Sequence, residues 1–274
     1  MDQNENDDPV KSDSVALSFS GCGFLGVYQL GVAECLLKHA QSTLMTRVNR
    51  IAGASAGSLI AAVLSTCPNR IEDCSRAFFA LANEINDLTF GAMTAGFSLI
   101  QRLEAIINDI LPPNAHFLAF GKTHVSMTKR SDRSNCLTAM FTSREDFIQH
   151  LLASCYIPVY GGPSEDCPVI NGEEFEDGGM TNNLPKFDDE QTITISPFSG
   201  EADISPDDSA TFDWTMTMFG QSFSVNFSNV VRGCQALFPP EPSVLRSYHR
   251  LGYMNAMRYL KEHNLFEPLD GSEV

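Results

Sequence analysis

The chain has 274 residues, enough to bury one large core, and a formal net charge of −16 from 34 acidic and 18 basic side chains. That balance excludes the Lys- and Arg-rich surfaces of nucleic-acid-binding proteins and disfavours electrostatic attraction to anionic membranes, while uncharged lipid surfaces stay open. The polar, acidic start of the chain is unlike a signal peptide, and no apolar run approaches the length of a membrane span. The eight cysteines form no C-x-x-C pair. We therefore expect a cytoplasmic protein with reduced thiols.

The first predicted elements follow a charged, aperiodic start. Residues 1–13 are predicted to be disordered, residues 14–266 to form one domain, and residues 267–274 to be a tail. Within that domain, Val15 to Phe19 is predicted to form a strand, and Val27 to His39 a helix with one buried face.

The loop between that strand and that helix is rich in glycine. Gly21, Gly23 and Gly26 satisfy the G-x-G-x-x-G pattern of dinucleotide-binding proteins. That pattern also expects an acidic residue about twenty positions further on, yet no Asp or Glu occurs between Glu34 and Glu72. A nicotinamide cofactor is therefore disfavoured. The other interpretation is an oxyanion hole made by bare backbone amides, with Cys22 as a small buried filler.

A second motif, Gly53-Ala54-Ser55-Ala56-Gly57, matches G-x-S-x-G between an apolar strand and an apolar helix. A serine on a sharp strand-to-helix turn presents its hydroxyl outward, and its neighbours must be small. The same pattern also suits a turn that merely packs a helix closely on a sheet. On this motif alone, Ser55 is therefore either a nucleophile or a packing residue.

Further along, helices alternate with strands. Helices are predicted over Arg70 to Asn86, Phe97 to Leu111 and Arg144 to Ser154, the last with Ser143 as N-cap, and strands over His124 to Thr128, Leu137 to Phe141 and Thr192 to Ser196. This alternation predicts an α/β protein whose mostly parallel sheet is covered on both faces, a three-layer α/β/α sandwich.

The pattern changes from Phe212 to Phe227, where apolar residues alternate in two runs. We interpret these runs as a hairpin with one apolar face, buried in the core, although an exposed rim for acyl chains or a lipid surface fits the same pattern. A last helix is predicted over Ser243 to His263, weakened by Gly252.

A serine nucleophile needs a base, and histidine is the usual one. None of the six histidines lies in the glycine-flanked setting of small residues expected at a reactive site; they are His39, His116, His124, His150, His249 and His263. Asp177-Gly178-Gly179 is the better candidate, because two glycines let the carboxylate approach another backbone closely and partial burial would raise its pKa. An ordinary Asp-Gly turn is the alternative.

The glycine loop, the serine elbow and Asp-Gly-Gly, in that order, resemble the patatin-like phospholipase family. The loop is similar to that of its animal triglyceride-lipase branch, which includes adipose triglyceride lipase and adiponutrin, and the chain lacks the leading Asp and the Arg of the plant loop. The resemblance covers roughly Ser14 to Phe266, and further matching stretches are Gly53 to Leu59, Leu111 to Pro113, Ile157 to Tyr160, Ser196 to Gly200 and Ala236 to Pro240.

The resemblance implies an esterase with a Ser–Asp dyad. Ser55 would be the nucleophile, Asp177 the base, and the backbone of Gly21, Cys22, Gly23 and Phe24 the oxyanion hole, with Gly53 and Gly57 shaping the elbow. The implied substrates are acylglycerols, with retinyl esters and transacylation to glycerol or retinol also within the branch. We expect no metal or cofactor, no nucleic-acid partner, and peripheral association with lipid droplets or membranes. A phospholipase A or lysophospholipase with the same dyad, and a non-catalytic lipid-surface module, are the alternatives.

Overall fold

Short apolar strands build the central sheet. The computed structural model describes residues 14–158, 160, 166–208, 214–218 and 220–269. Strands in these residues are β1 (Val15–Phe19), β2 (Val48–Ala54), β3 (Thr123–Lys129), β4 (Asn135–Thr138), β5 (Val169–Ile170), β6 (Glu173–Asp177), β7 (Gln191–Ile195), β8 (Thr215–Met218) and β9 (Gln221–Ser224). All of β1 is buried, as expected for a strand covered on both faces.

Eight helices connect and cover these strands in the described residues. They are α1 (Gly26–His39), α2 (Ala56–Thr66), α3 (Ile71–Asn86), α4 (Leu99–Ile110), α5 (Ala115–Ala119), α6 (Arg144–Ser154), α7 (Phe227–Leu237) and α8 (Pro242–Glu262). The predicted helices are confirmed to within two residues at each end, and the Ser143 hydroxyl caps α6 by accepting from the Asp146 amide at 3.1 Å. Helices α5 and α7 were not predicted. No helix in the described part of the chain is both long and apolar enough to cross a membrane.

The sheet order is β5-β6-β3-β2-β1-β7, and β4 also pairs with β3. Strands β7, β1, β2 and β3 run parallel, whereas β4 and β6 are antiparallel to β3 and β5 is antiparallel to β6. The predicted α/β fold, a mostly parallel sheet between helices, is confirmed. Because neighbouring parallel strands end at the same edge, the segments after β1 and β2 meet there. Register brings β6 to the same place, since Ala54 pairs with Ser126 while Met127 pairs with Asp177.

Helices α1 and α8 lie in close contact through two glycines. A Cβ at Gly252 would lie 1.9 Å from the Tyr28 carbonyl oxygen, and one at Gly31 would lie 2.0 Å from that of His249. Gly252, which weakens the helix prediction as a helix-disfavouring residue, is therefore required for this packing.

The two ends of the chain differ in what is described. The predicted disordered segment, residues 1–13, lies outside the described residues, and the predicted tail is described as far as Leu269. Within it, the Glu267 amide donates to the His39 carbonyl at 2.7 Å, and its carboxylate accepts from the Ser42 amide at 2.7 Å.

The core interpretation of the hairpin is wrong. Strands β8 and β9 do pair, but all four residues of β8 are exposed. Phe227 begins α7 rather than ending a strand, and Phe212 lies outside the described residues. Alternation correctly predicted an apolar face. In the described residues that face borders an open depression, where Phe223 packs on Phe198 while Met216 and Met218 stay exposed.

Candidate active site

The turn between β2 and α2 holds Ser55 in an uncommon backbone conformation. Its φ is 51° and its ψ is −129°, a region that side-chain-bearing residues rarely occupy. The Ser55 amide donates to the Ser154 hydroxyl at 2.9 Å, and that hydroxyl donates to the Ser126 carbonyl at 2.7 Å. A Cβ at Gly57 would lie 2.3 Å from the Phe19 carbonyl oxygen, so only glycine fits there. The elbow is thus held by contacts from both flanking strands and from α6.

Asp177 ends β6 directly beside this turn. Its side chain is buried, lines the same cleft as Ser55, whose hydroxyl lowers its pKa, and accepts a hydrogen bond from the Gly179 amide at 2.7 Å. Gly178 permits this placement, because a Cβ there would lie 2.0 Å from the Ser126 carbonyl oxygen. The structure therefore brings the two residues of the predicted dyad together in one cleft, although their catalytic roles stay predictions.

Burial dominates the electrostatics of this carboxylate. It raises the pKa of Asp177 from 3.8 to about 6, and the nearby Ser55 hydroxyl and the Gly179 amide offset part of that rise. A carboxylate with such a pKa is ionised at neutral pH and is still basic enough to accept a proton from a reacting hydroxyl.

Two cysteines lie beside the dyad, and both are held as neutral thiols. Burial, and secondarily the charge of Asp177, raises the pKa of Cys155 and of Cys22 far above the usual range. Neither thiol therefore competes with Ser55 as a nucleophile. All six histidines lie in described residues, and none lines the cleft around Ser55.

The glycine loop forms one wall of that cleft. Gly21 lies directly against the serine, since a Cβ built there would be 3.2 Å from the Ser55 Cβ. The Gly21 amide donates to the Asn183 carbonyl at 3.2 Å, so this amide already has a hydrogen-bond partner within the protein. The predicted oxyanion hole therefore depends on the amides of Cys22, Gly23 and Phe24, which line the same cleft as Ser55.

The cleft continues from Ser55 into the apolar interior. Its inner arm, with about 50 Å³ of open space, adjoins a further apolar space of about 30 Å³ between α2, α3 and α4. The two spaces share the side chains of Leu59, Phe78, Leu81 and Leu103. This arrangement provides a narrow, uncharged path leading away from the serine hydroxyl.

Sequence reasoning missed two residues of this site. Ser154 positions the elbow but sits inside a helix far along the chain, with no local signal of that contact. Asn183 lines the cleft, and its side-chain amide donates to the Gln221 amide oxygen at 2.7 Å, while Gln221 donates to the Ser196 hydroxyl at 2.7 Å. The neighbouring Asn182-Asn183 pair was the available signal, two polar residues following Asp-Gly-Gly. No group of three or more His, Cys, Asp or Glu side chains within the described ranges is arranged to hold a metal ion.

Comparisons with known proteins identify relatives of this chain. The family model described as "Patatin-like phospholipase" matches residues 17–186. Human patatin-like phospholipase domain-containing protein 4 is 43% identical over 92% of this chain and 99% of its own length. Human patatin-like phospholipase domain-containing protein 2 is 38% identical over 91% of this chain and 49% of its own length. Mouse omega-hydroxyceramide transacylase is 36% identical over 91% of this chain and 41% of its own length.

Proposed function

The chain belongs to the patatin-like phospholipase family, and from that premise we propose that it is a serine hydrolase of acylglycerol esters. Its relatives support a lipid hydrolase or acyl-transfer activity in general terms. The single observation that carries the proposal is the Ser55 hydroxyl, which lies beside the buried carboxylate of Asp177 in a cleft that leads into an apolar interior.

The proposed reaction uses the two residues in turn. Asp177 accepts the proton of the Ser55 hydroxyl as its oxygen attacks the ester carbonyl, and the amides of the glycine loop stabilise the resulting oxyanion. Collapse of this intermediate breaks the ester bond, and the departing alcohol takes the proton from Asp177. Water, or a second alcohol in transacylation, then gives its proton to Asp177 and attacks the acyl-enzyme. The bond between the acyl group and the Ser55 oxygen breaks, the fatty acid or the new ester leaves, and Asp177 returns the proton to Ser55.

The lining of the cleft supports a neutral-lipid substrate over a phospholipid. In the described part of the chain, no Lys, Arg or His side chain lines the cleft around Ser55 or its inner arm. A phosphate group would therefore find no cationic side chain to pair with, whereas an acylglycerol carries no charge to satisfy.

We place the protein in the cytoplasm, acting at the surface of lipid droplets or membranes.

A substrate panel tests this proposal. Purified protein is incubated with triolein, retinyl palmitate and phosphatidylcholine, and released fatty acid is measured against a Ser55→Ala blank. We expect release from triolein to exceed release from phosphatidylcholine by at least tenfold, with acyl transfer when glycerol or retinol is added. Preference for phosphatidylcholine would favour the phospholipase A alternative, and no release from any ester would favour a non-catalytic module.

Leu103 lies where the two apolar spaces join, and we expect it to set the acyl-chain length. The variant Leu103→Trp should lower turnover of palmitoyl esters at least tenfold while butyryl esters are hydrolysed nearly as before, because the indole blocks the inner cavity. The measurement is kcat/KM for p-nitrophenyl esters of increasing length. Ala105→Trp, at an exposed position of the same helix, is the matched control. An unchanged chain-length profile in a folded Leu103→Trp protein would place the acyl chain elsewhere.

A further inference from the structure

A band of apolar side chains is exposed beside the cleft. We call it the apolar rim; it comprises Trp214, Met216, Met218 and Val225 of the β8–β9 hairpin and Phe227 and Val230 of α7. The exposed fraction reaches 77% for Trp214 and 81% for Phe227. Contiguous exposed apolar side chains of this size are uncommon on soluble proteins and mark a surface that meets another phase or molecule.

The apolar rim carries no charge in a strongly acidic protein. Between Asp213 and Arg232 the sequence contains no Asp, Glu, Lys, Arg or His, although the whole chain has 34 acidic and 18 basic residues. A basic surface patch would attract anionic lipid, and an acidic surface patch would be repelled by anionic lipid. An uncharged apolar band fits a surface that is itself uncharged.

The apolar rim is continuous with the catalytic cleft. Met216, Met218 and Val230 line an open depression whose other wall includes Gly21 and Asn183. Gly21 and Asn183 also line the cleft at Ser55. A lipid molecule that left a surface under the apolar rim would therefore reach the serine without crossing bulk water.

The hairpin is a built element rather than a loose loop. Gln221 is tied to Asn183 and Ser196, and the Phe223 ring packs edge-to-face on Phe198 with centroids 5.6 Å apart. On the opposite face, the Thr217 and Ser222 hydroxyls hydrogen-bond to each other at 3.1 Å. The polar and apolar faces are thus fixed relative to the cleft.

We propose that the apolar rim docks on an uncharged lipid surface, the phosphatidylcholine monolayer over a neutral-lipid particle, so that the cleft opens towards the lipid. The inference deepens the proposed function and rests on it for the substrate, although not for the binding. Trp214 and Phe227 insert at the level of the headgroups, where large aromatic rings are favoured. The net charge of −16 keeps the remaining surface in water and selects against anionic lipid.

Trp214 is the only tryptophan of the chain and therefore reports directly on this contact. With phosphatidylcholine-coated triolein emulsions or phosphatidylcholine vesicles, we expect a blue shift of its emission and quenching by brominated acyl chains. Replacing a third of the phosphatidylcholine by phosphatidylserine at low salt should weaken binding, and added salt should restore it. Emission that stays unchanged with saturating lipid, or stronger binding to phosphatidylserine, would overturn the proposal.

Charged substitutions locate the contact. Met216→Glu and Phe227→Glu should each raise the lipid concentration at half-binding at least tenfold, while thermal stability and hydrolysis of water-soluble p-nitrophenyl butyrate stay unchanged. Phe117→Glu is the matched control, since Phe117 is 75% exposed but lies on α5, before the amino end of β3 and away from the cleft. Equal binding by the rim variants and wild type would overturn the proposal.

Two further outcomes distinguish lipid docking from the proposed hydrolysis and from dimerisation through the apolar rim. If wild type binds vesicles through the rim but hydrolyses no ester, the proposed function fails while the docking surface stands. If the emission shift appears without lipid and grows with protein concentration as the chain dimerises, the rim covers a second copy and the lipid proposal is overturned.

Discussion

Replacing Asp177 by asparagine is expected to lower kcat at least a thousandfold and to leave the protein folded. An asparagine side chain can still accept the hydrogen bond from the Gly179 amide, but it cannot take a proton from Ser55. The measurement is ester hydrolysis together with circular dichroism of the purified variant. Turnover near that of wild type would reject the dyad.

The same substitution should make the protein more stable at neutral pH. In the folded state the pKa of Asp177 is raised to about 6 from 3.8, so between these pH values the folded chain holds a proton that the unfolded chain has released. The free energy of unfolding therefore falls as pH rises from about 4 to about 6, by about 3 kcal/mol in total. An asparagine side chain does not titrate, so the stability advantage of the Asp177→Asn variant over wild type should grow across that pH range, measured by urea unfolding.

The neighbouring Glu176 provides the matched control. It is buried like Asp177, but it forms ion pairs with Arg130 and Arg133 on the far side of β6 from the serine contact. Glu176→Gln should lower stability by about 1–3 kcal/mol, because charged hydrogen bonds are lost, and should retain turnover. Opposite effects on activity and stability at adjacent carboxylates would distinguish a base from a structural acid.

Ser55→Ala and Ser55→Gly are both expected to abolish ester hydrolysis and labelling by a fluorophosphonate probe. They should differ in stability, since the φ of 51° and ψ of −129° are strained for alanine and accessible to glycine. We expect the glycine variant to be more stable than the alanine variant by about 1–2 kcal/mol. Thermal unfolding of the two purified proteins measures the difference.

A serine elsewhere on the same helix separates the nucleophile from a general effect of substitution. Ser65 lies in the last turn of α2, where its hydroxyl donates to the Ala61 carbonyl at 2.8 Å. Ser65→Ala should keep probe labelling and hydrolysis. Probe labelling that persisted in Ser55→Ala would show that another residue carries the reactive oxygen.

Much of the sheet and most helices could be predicted from local patterns. The apolar run before Gly21 and the small residues around Ser55 each determine their own backbone, so strand, turn and helix were located correctly. The pairing of Ser55 with Asp177 is a matter of strand register across more than a hundred residues. The sequence linked them only indirectly, through the lack of a suitable histidine, the glycines after Asp177 and the resemblance to a family.

The remaining errors have specific physical reasons. Alternation at Phe223, Val225 and Phe227 suggested that the second strand of the hairpin runs to Phe227. The strand ends at Ser224 instead, and the Asn226 side chain caps α7 by accepting from the Asn229 amide at 2.7 Å. Burial of the hairpin could not be predicted, because alternation reveals an apolar face without revealing what covers it. Ser154 contacts the elbow through tertiary packing alone, which leaves no trace in its own helix.

The glycine contact between α1 and α8 also links distant parts of the chain. The wall of the cleft leads into α1, and that helix packs on α8 where Gly31 meets His249 and Gly252 meets Tyr28. A bulkier residue at position 252, far from the cleft in sequence, would therefore displace the helix that follows one wall of the cleft.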